Sequence, residues 1–183
     1  GTEADNLAIK GLFWSQNRKD ARRKVVLSAY TEHHAVIDPI EWLEREQGAE
    51  AVWIPVDACG VIDLDWLAQF LAERAAEVAL ISLMWANNET GVIQPMAEIA
   101  DIVRANGGIL FADCSQSAGK LPLPDADVMC VSAHKLGGPP GMGALLVRNL
   151  GLLTPTGGQE QGYRRGTENL PAAIGFATAL DAG

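Results

Sequence analysis

The sequence predicts an α/β domain, a mostly parallel sheet flanked by helices. Short apolar runs alternate with longer segments whose apolar residues recur at three- and four-residue spacing, the pattern of strands and helices taken in turn. One run, Val78 to Trp85, is apolar almost throughout, as a strand covered on both faces must be. Glycine or proline also falls at several of the boundaries, as at Gly48, Pro95 and Gly107-Gly108.

Thr2, with Asp5 three residues on, is a capping-box-like opening, and Leu7, Ala8, Gly11 and Leu12 give the helix that follows an apolar or small face. The basic cluster Arg18 to Lys24 reads as the solvated end of that helix and its turn. Val25 to Ala29 is a strand. Ala35 to Gln47 is a helix with Ile40 and Leu43 inward, stopped by Gly48. Ala51 to Val56 is a strand, and Asp63 caps a helix whose stripe is Leu64, Leu67, Phe70 and Leu71. After the strand from Val78, Pro95 starts a helix with Met96, Ile99, Ala100 and Val103 inward. Ile109 to Asp113, Asp127 to Ser132 and Ala144 to Arg148 are strands. Gly157 to Asn169 is polar, glycine-rich and aperiodic, and Pro171 to Leu180 is a last helix.

One layered domain is therefore expected over residues 1–183, with no repeat or linker. A start at Gly1-Thr2-Glu3 without methionine, and an end straight after a helical pattern, read as a piece of a longer protein. The net charge of -9 argues against nucleic acid as a partner, because neutralising phosphates needs a basic face. No apolar run approaches a membrane span and no signal peptide is seen. The three cysteines, Cys59, Cys114 and Cys130, are scattered, which indicates neither a disulfide framework nor a metal ligand set; a reducing cytoplasm is the expected location.

Ligands of open α/β sheets bind outside the carboxyl ends of the strands. The residues predicted there are Glu32-His33-His34, Asn87-Asn88-Glu89, Asp113 with Gln116, and Ser132, His134 and Lys135. A lysine just past one strand can form a Schiff base, and a carboxylate at the end of another can hold a pyridine nitrogen protonated. Alone, Lys135 is a surface charge and Asp113 a turn residue; together they are the two groups that pyridoxal 5'-phosphate (PLP) requires. Gly1 and Thr2, at a helix N-terminus, offer the phosphate free N–H groups and a hydroxyl, although Thr2 as a plain N-cap has the same geometry. Ser132 and His134 fall on one face if their segment is extended, aimed at the same phosphate. His33 reads as a ring-stacking or proton-moving group or as a structural histidine; Asn88 and Gln116 either bond the cofactor's phenolic oxygen or satisfy loop backbone. Gly137 to Gly143 lacks the pattern of a phosphate loop and reads as a stiff turn that places Lys135.

With those residues in place, the chain resembles the cysteine desulfurases, the NifS/IscS-like branch of class V aminotransferase-type PLP enzymes. The resemblance runs from end to end through Gly1 to Asn6, Thr31-Glu32-His33, Asn87 to Val92, Asp113 to Lys120, Ser132 to Lys135 and Arg165 to Asn169. It implies the large domain of a fold type I PLP enzyme that converts L-cysteine to L-alanine and an enzyme-bound persulfide. The sulfur then passes to an acceptor or scaffold protein for iron–sulfur cluster or thio-cofactor assembly. It implies Lys135 as the Schiff-base lysine, Asp113 on the pyridinium nitrogen, Gln116 at the phenolic oxygen, His33 stacked on the ring and Asn88 beside it. It sets Gly1, Thr2, Ser132 and His134 around the phosphate, with Thr167 reaching the phosphate of a neighbouring subunit in a homodimer. The segment between Lys120 and Ser132 is shorter than usual for the family, and Pro140 stands where many relatives carry a basic residue. The family's persulfide-forming cysteine and substrate-binding arginine have no counterpart in this sequence, and each of Cys59, Cys114 and Cys130 reads as structural. An aminotransferase or selenocysteine lyase of the same class, or a non-catalytic interaction module on this fold, would share the pattern.

Overall fold

A computed structural model describes residues 1–182. Six strands form one sheet in the order β2-β1-β3-β4-β5-β6. They are β1 (Val25–Ser28), β2 (Glu50–Trp53), β3 (Val78–Met84), β4 (Leu110–Asp113), β5 (Val128–Ser132) and β6 (Gly143–Val147). Around them lie α1 (Thr2–Lys19), α2 (His34–Gln47), α3 (Leu64–Arg74), α4 (Met96–Ala105) and α5 (Leu170–Ala182). Every pairing is parallel except β5 with β6, which sets Ser132 opposite Gly143.

The predicted elements are all present, with ends moved by one to three residues, the most at β2, which stops at Trp53 and not Val56. The capping box is a correction: Gly1, not Thr2, is the N-cap, no side chain caps the helix, and Asp5 is buried instead of reaching back. The regular alternation also stops after β4. Residues 114–127 form turns without a helix, and the 133–142 connection is shorter than the crossover of about a dozen residues or more that a parallel partner needs, so β6 returns antiparallel. None of the described helices is long and apolar enough to cross a membrane.

Alternation along the strands sorts the core into two layers. Val25, Leu27, Ile81, Leu83, Leu110, Ala112 and Val131 pack with α3, α4 and Phe176 of α5. Val26, Leu80, Phe111, Val128 and Cys130 pack with Ile9, Leu12 and Phe13 of α1 and with Val36, Ile40 and Leu43 of α2. β1 and β4 are only four residues long. Burial on both faces holds them, at about 1.5–3 kcal/mol per large side chain, more than ladder bonds of about 1 kcal/mol net.

Candidate functional site

The same alternation sets the chemistry of the site. Ala112 and Cys114 face the α3–α4 layer, so Asp113 between them faces the other way, towards the start of α1, as do Cys130 and Ser132. Asp113 is 5% exposed, and its Oδ1 accepts the Ser115 N–H at 2.8 Å.

The start of α1 lies against this strand end. A Cβ built on Gly1 would sit 3.2 Å from Ser115 Oγ and 3.8 Å from the Ser132 Cβ. One on Gly143 would sit 2.6 Å from the Val131 carbonyl oxygen and 3.2 Å from the Gly1 nitrogen, so only a residue without a side chain lets helix and hairpin approach this closely. The first-turn N–H groups of α1 have no intrahelical partner, and with Gly1 as N-cap no side chain takes one. The Thr2 hydroxyl is exposed beside them.

The segment after β5 is not extended as expected: residues 133–136 form a 3-10 turn. Ser132 and His134 meet nonetheless, with Ser132 Oγ 3.0 Å from His134 Nδ1. The turn is pinned by Gly138 N–H on the Ala133 carbonyl (2.9 Å) and Ala133 N–H on that of Met142 (3.0 Å). α5 backs the following loop, where Gly175 packs closely on Pro139. Lys135 is exposed on this fixed turn and makes no hydrogen bond or ion pair among the described residues.

His33 is the N-cap of α2, its Nδ1 accepting the Ala35 N–H at 3.0 Å, which leaves the exposed Nε2 side of the ring free. His34 turns away and pairs with Asp38 on the surface. Asn87, not Asn88, does the structural bonding: its Nδ2 donates to the Thr31 carbonyl at 2.7 Å and its Oδ1 accepts from the Glu89 and Thr90 N–H groups. Asn88 is exposed with no side-chain bond among the described residues. Gln116 is half-buried and its carbonyl accepts Lys120 Nζ at 2.9 Å. Thr167 is exposed in the loop tied to α1 by the Arg164–Glu3 pair at 2.6 Å. A concavity of about 290 Å³ lies along α1, lined by Lys10, Trp14, Tyr163 and Arg164 among others. None of the strand-end residues lines it.

Sequence reasoning missed Asp5 and misread Glu32. Glu32 is 7% exposed, with Oε1 accepting the Met84 N–H at 2.7 Å and Oε2 without a partner. Burial, then the charges of Asp113 and Asp5, hold its carboxyl well above the usual range. Asp5 is 1% exposed, and burial first and Asp113 second push its carboxyl up to about 7. Ligand atoms of Asp5, Asp113 and Cys130 all lie within 4.8 Å of one another. Burial drives the Cys130 thiol far up and the Cys114 thiol to about 12, so neither is a thiolate at neutral pH. The donor set fits a phosphorylated pyridine: a buried strand-end carboxylate, an uncapped helix start beside hydroxyl and imidazole groups, and an unpaired lysine on a rigid turn.

The sequence profile of the family described as aminotransferase class-V matches residues 1–182. The chain is 41% identical over 186 residues to a protein of Mycobacterium tuberculosis named "IscS-like cysteine desulfurase", covering 98% of this chain and 47% of that protein. A solved "NIFS-LIKE PROTEIN" superposes with a TM-score of 0.88 at 32% identity, covering 99% of this chain and 50% of that one. "SspA in complex with cysteine" gives 0.87 at 30% identity, with 98% and 52% covered. The chain spans about half the length of the curated relatives it matches.

Proposed function

The chain belongs to the class-V aminotransferase family, and on that premise we propose that it is the cofactor-binding large-domain part of a PLP-dependent cysteine desulfurase. The observation that carries the reading is Asp113, buried and anchored by Ser115 at a strand end beside the uncapped start of α1, with Ser132 and His134 across from it. The relative named as a desulfurase and the solved structure with cysteine support L-cysteine as substrate.

When bound, PLP supplies the electron sink for the pair left at the substrate's α-carbon. Asp113 keeps the ring-nitrogen proton in place. Lys135 holds the cofactor's aldehyde and then moves the α-proton. His33, its Nδ1 fixed by Ala35, offers its ring face to the pyridine, while Gln116 and Asn88 orient the phenolic oxygen. Gly1 gives close approach to the phosphate, which Thr2, Ser132, His134 and the first-turn N–H groups of α1 bind. Thr167 serves the phosphate of a second subunit in a homodimer.

The reaction transfers the cysteine sulfur to an enzyme thiolate, leaving L-alanine and a persulfide that passes to an acceptor or scaffold protein for iron–sulfur or thio-cofactor assembly. Cys114 and Cys130 are buried with raised thiol pKa values, and Cys59 sits in a turn braced by Asp57 and Gln94. We therefore assign the persulfide-forming cysteine and the carboxylate-binding arginine to segments of the full-length protein outside this chain. Three free thiols fit a reducing cytoplasm.

The test is incubation of the full-length protein with PLP, L-cysteine and a thiol reductant. Equimolar alanine and sulfide are expected, and the 183-residue chain alone should release neither. PLP binding with amino-group transfer in place of sulfide release would overturn the reading.

A further inference from the structure

Three carboxyl groups crowd the candidate site, where the proposed chemistry uses one. Asp5, Glu32 and Asp113 are all buried, and none is ion-paired among the described residues. Asp5 Oδ1 and Glu32 Oε2 have no hydrogen-bond partner among the described residues. Resting on the PLP reading above, we propose that Asp5 is a positioning residue for Asp113, a second buried carboxyl whose charge sets how strongly Asp113 holds a cationic ring nitrogen.

The groups that face Asp5 are few. Asp113 comes from β4, Cys130 from β5, Glu32 from the β1–α2 connection and the Gly1 amino group from its own helix; Glu3 turns outward to Arg164. Carboxyls this close in a dry setting raise one another's cost of ionising. Asp113 has the Ser115 N–H. Asp5 is supported only by the Cys130 thiol and the Gly1 amine, so it stays neutral until about pH 7, and Glu32 stays neutral well beyond its usual range. Where further residues precede Gly1 its nitrogen is an amide, and the amine's lowering effect on Asp5, the smallest of the causes acting on it, is absent.

A cation held by Asp113 relieves the repulsion that keeps Asp5 protonated, so it lowers the Asp5 pKa. By reciprocity, ionising Asp5 strengthens the grip on that cation. Asp5 therefore adjusts the charge behind the ring nitrogen across the neutral range, with no contact of its own to the cofactor.

The test compares wild-type and Asp5→Asn full-length protein, measuring the Kd for PLP by equilibrium dialysis and the absorbance of bound PLP from pH 6.0 to 8.5. A one-unit shift of the Asp5 pKa on binding corresponds to a tenfold change in affinity. D5N should match wild type within about twofold at pH 6.0, where Asp5 is neutral, and bind roughly threefold to tenfold more weakly at pH 8.5. The near-neutral inflection of the bound-PLP spectrum should vanish. If D5N fails to fold, carboxyl carbon NMR of wild type supplies the answer: a buried aspartate titrating near neutrality, its midpoint falling when PLP is added. PLP held by Lys135 with identical pH dependence in D5N, or a buried aspartate whose midpoint PLP does not move, overturns the Asp5 role alone. No PLP binding by wild type at any pH overturns the cofactor reading, and this inference with it.

Discussion

Replacing Glu32 by alanine is expected to destabilise the folded protein by about 2–4 kcal/mol at pH 4.5. The side chain joins the end of β1 to the end of β3, where its Oε1 accepts the buried Met84 N–H at 2.7 Å. Removing it leaves that N–H without a partner, at about 1–3 kcal/mol, and strips one methylene from a dry site at about 0.8 kcal/mol. These costs stand at pH 4.5; above it, folding has to protonate a carboxyl that burial holds well above its usual range, and removing the side chain relieves that cost. Glu32→Gln keeps the acceptor and should cost only about 1 kcal/mol. The pH dependence separates the two effects. A carboxyl raised in the folded state adds stability below its unfolded value of 4.5, and that stability is lost as pH rises through the folded value. Gln lacks that loss, so E32Q should gain on wild type as pH rises from 4.5 to 7. Urea denaturation followed by circular dichroism at the two pH values measures all of this. E32A within 1 kcal/mol of wild type at pH 4.5, or E32Q as damaging as E32A, would refute the reasoning.

Asp113→Asn keeps the volume and the Ser115 acceptor but cannot balance a ring-nitrogen proton, so turnover of L-cysteine should fall on the order of a hundredfold or more with the circular dichroism spectrum unchanged; near-normal turnover would make Asp113 a turn residue only. Gly143→Ala should lower stability by about 1–3 kcal/mol, because its Cβ would sit 2.6 Å from the Val131 carbonyl oxygen. An unchanged urea midpoint would show that β5 and β6 are not this close at Val131 and Gly143. Iodoacetamide at pH 8 should label exposed Cys59 first and leave Cys114 and Cys130 untouched until the chain is unfolded; early labelling of either buried thiol would contradict the burial assigned here.

The fold was legible because burial and chain punctuation act locally. The β3 run, the Asp63 cap and the left-handed Gly48 stop each announce themselves within a few residues. Strand ends could likewise be read off, and with them Asp113, Ser132 and Lys135. Tertiary choices were hidden. Asp5 in a first helical turn looks like any acid that favours a helix N-terminus, and only the approach of β4 and β5 makes it a buried partner of Asp113. Glu32, next to His33, looked ligand-facing, yet its side chain turns into the sheet to meet Met84. The direction of β6 depended on the connection from Ser132 being too short for a crossover, and the helix missing before β5 left no mark in the apolar pattern.

The central claim is that Lys135 is the amine that holds PLP. Full-length protein loaded with PLP, reduced with borohydride, digested and analysed by peptide mass spectrometry tests it most directly. A pyridoxyl label on the peptide carrying Lys135, lost in Lys135→Ala, is the result predicted. A label on Lys120 or Lys10, or none on Lys135 in protein that has taken up PLP, would contradict it.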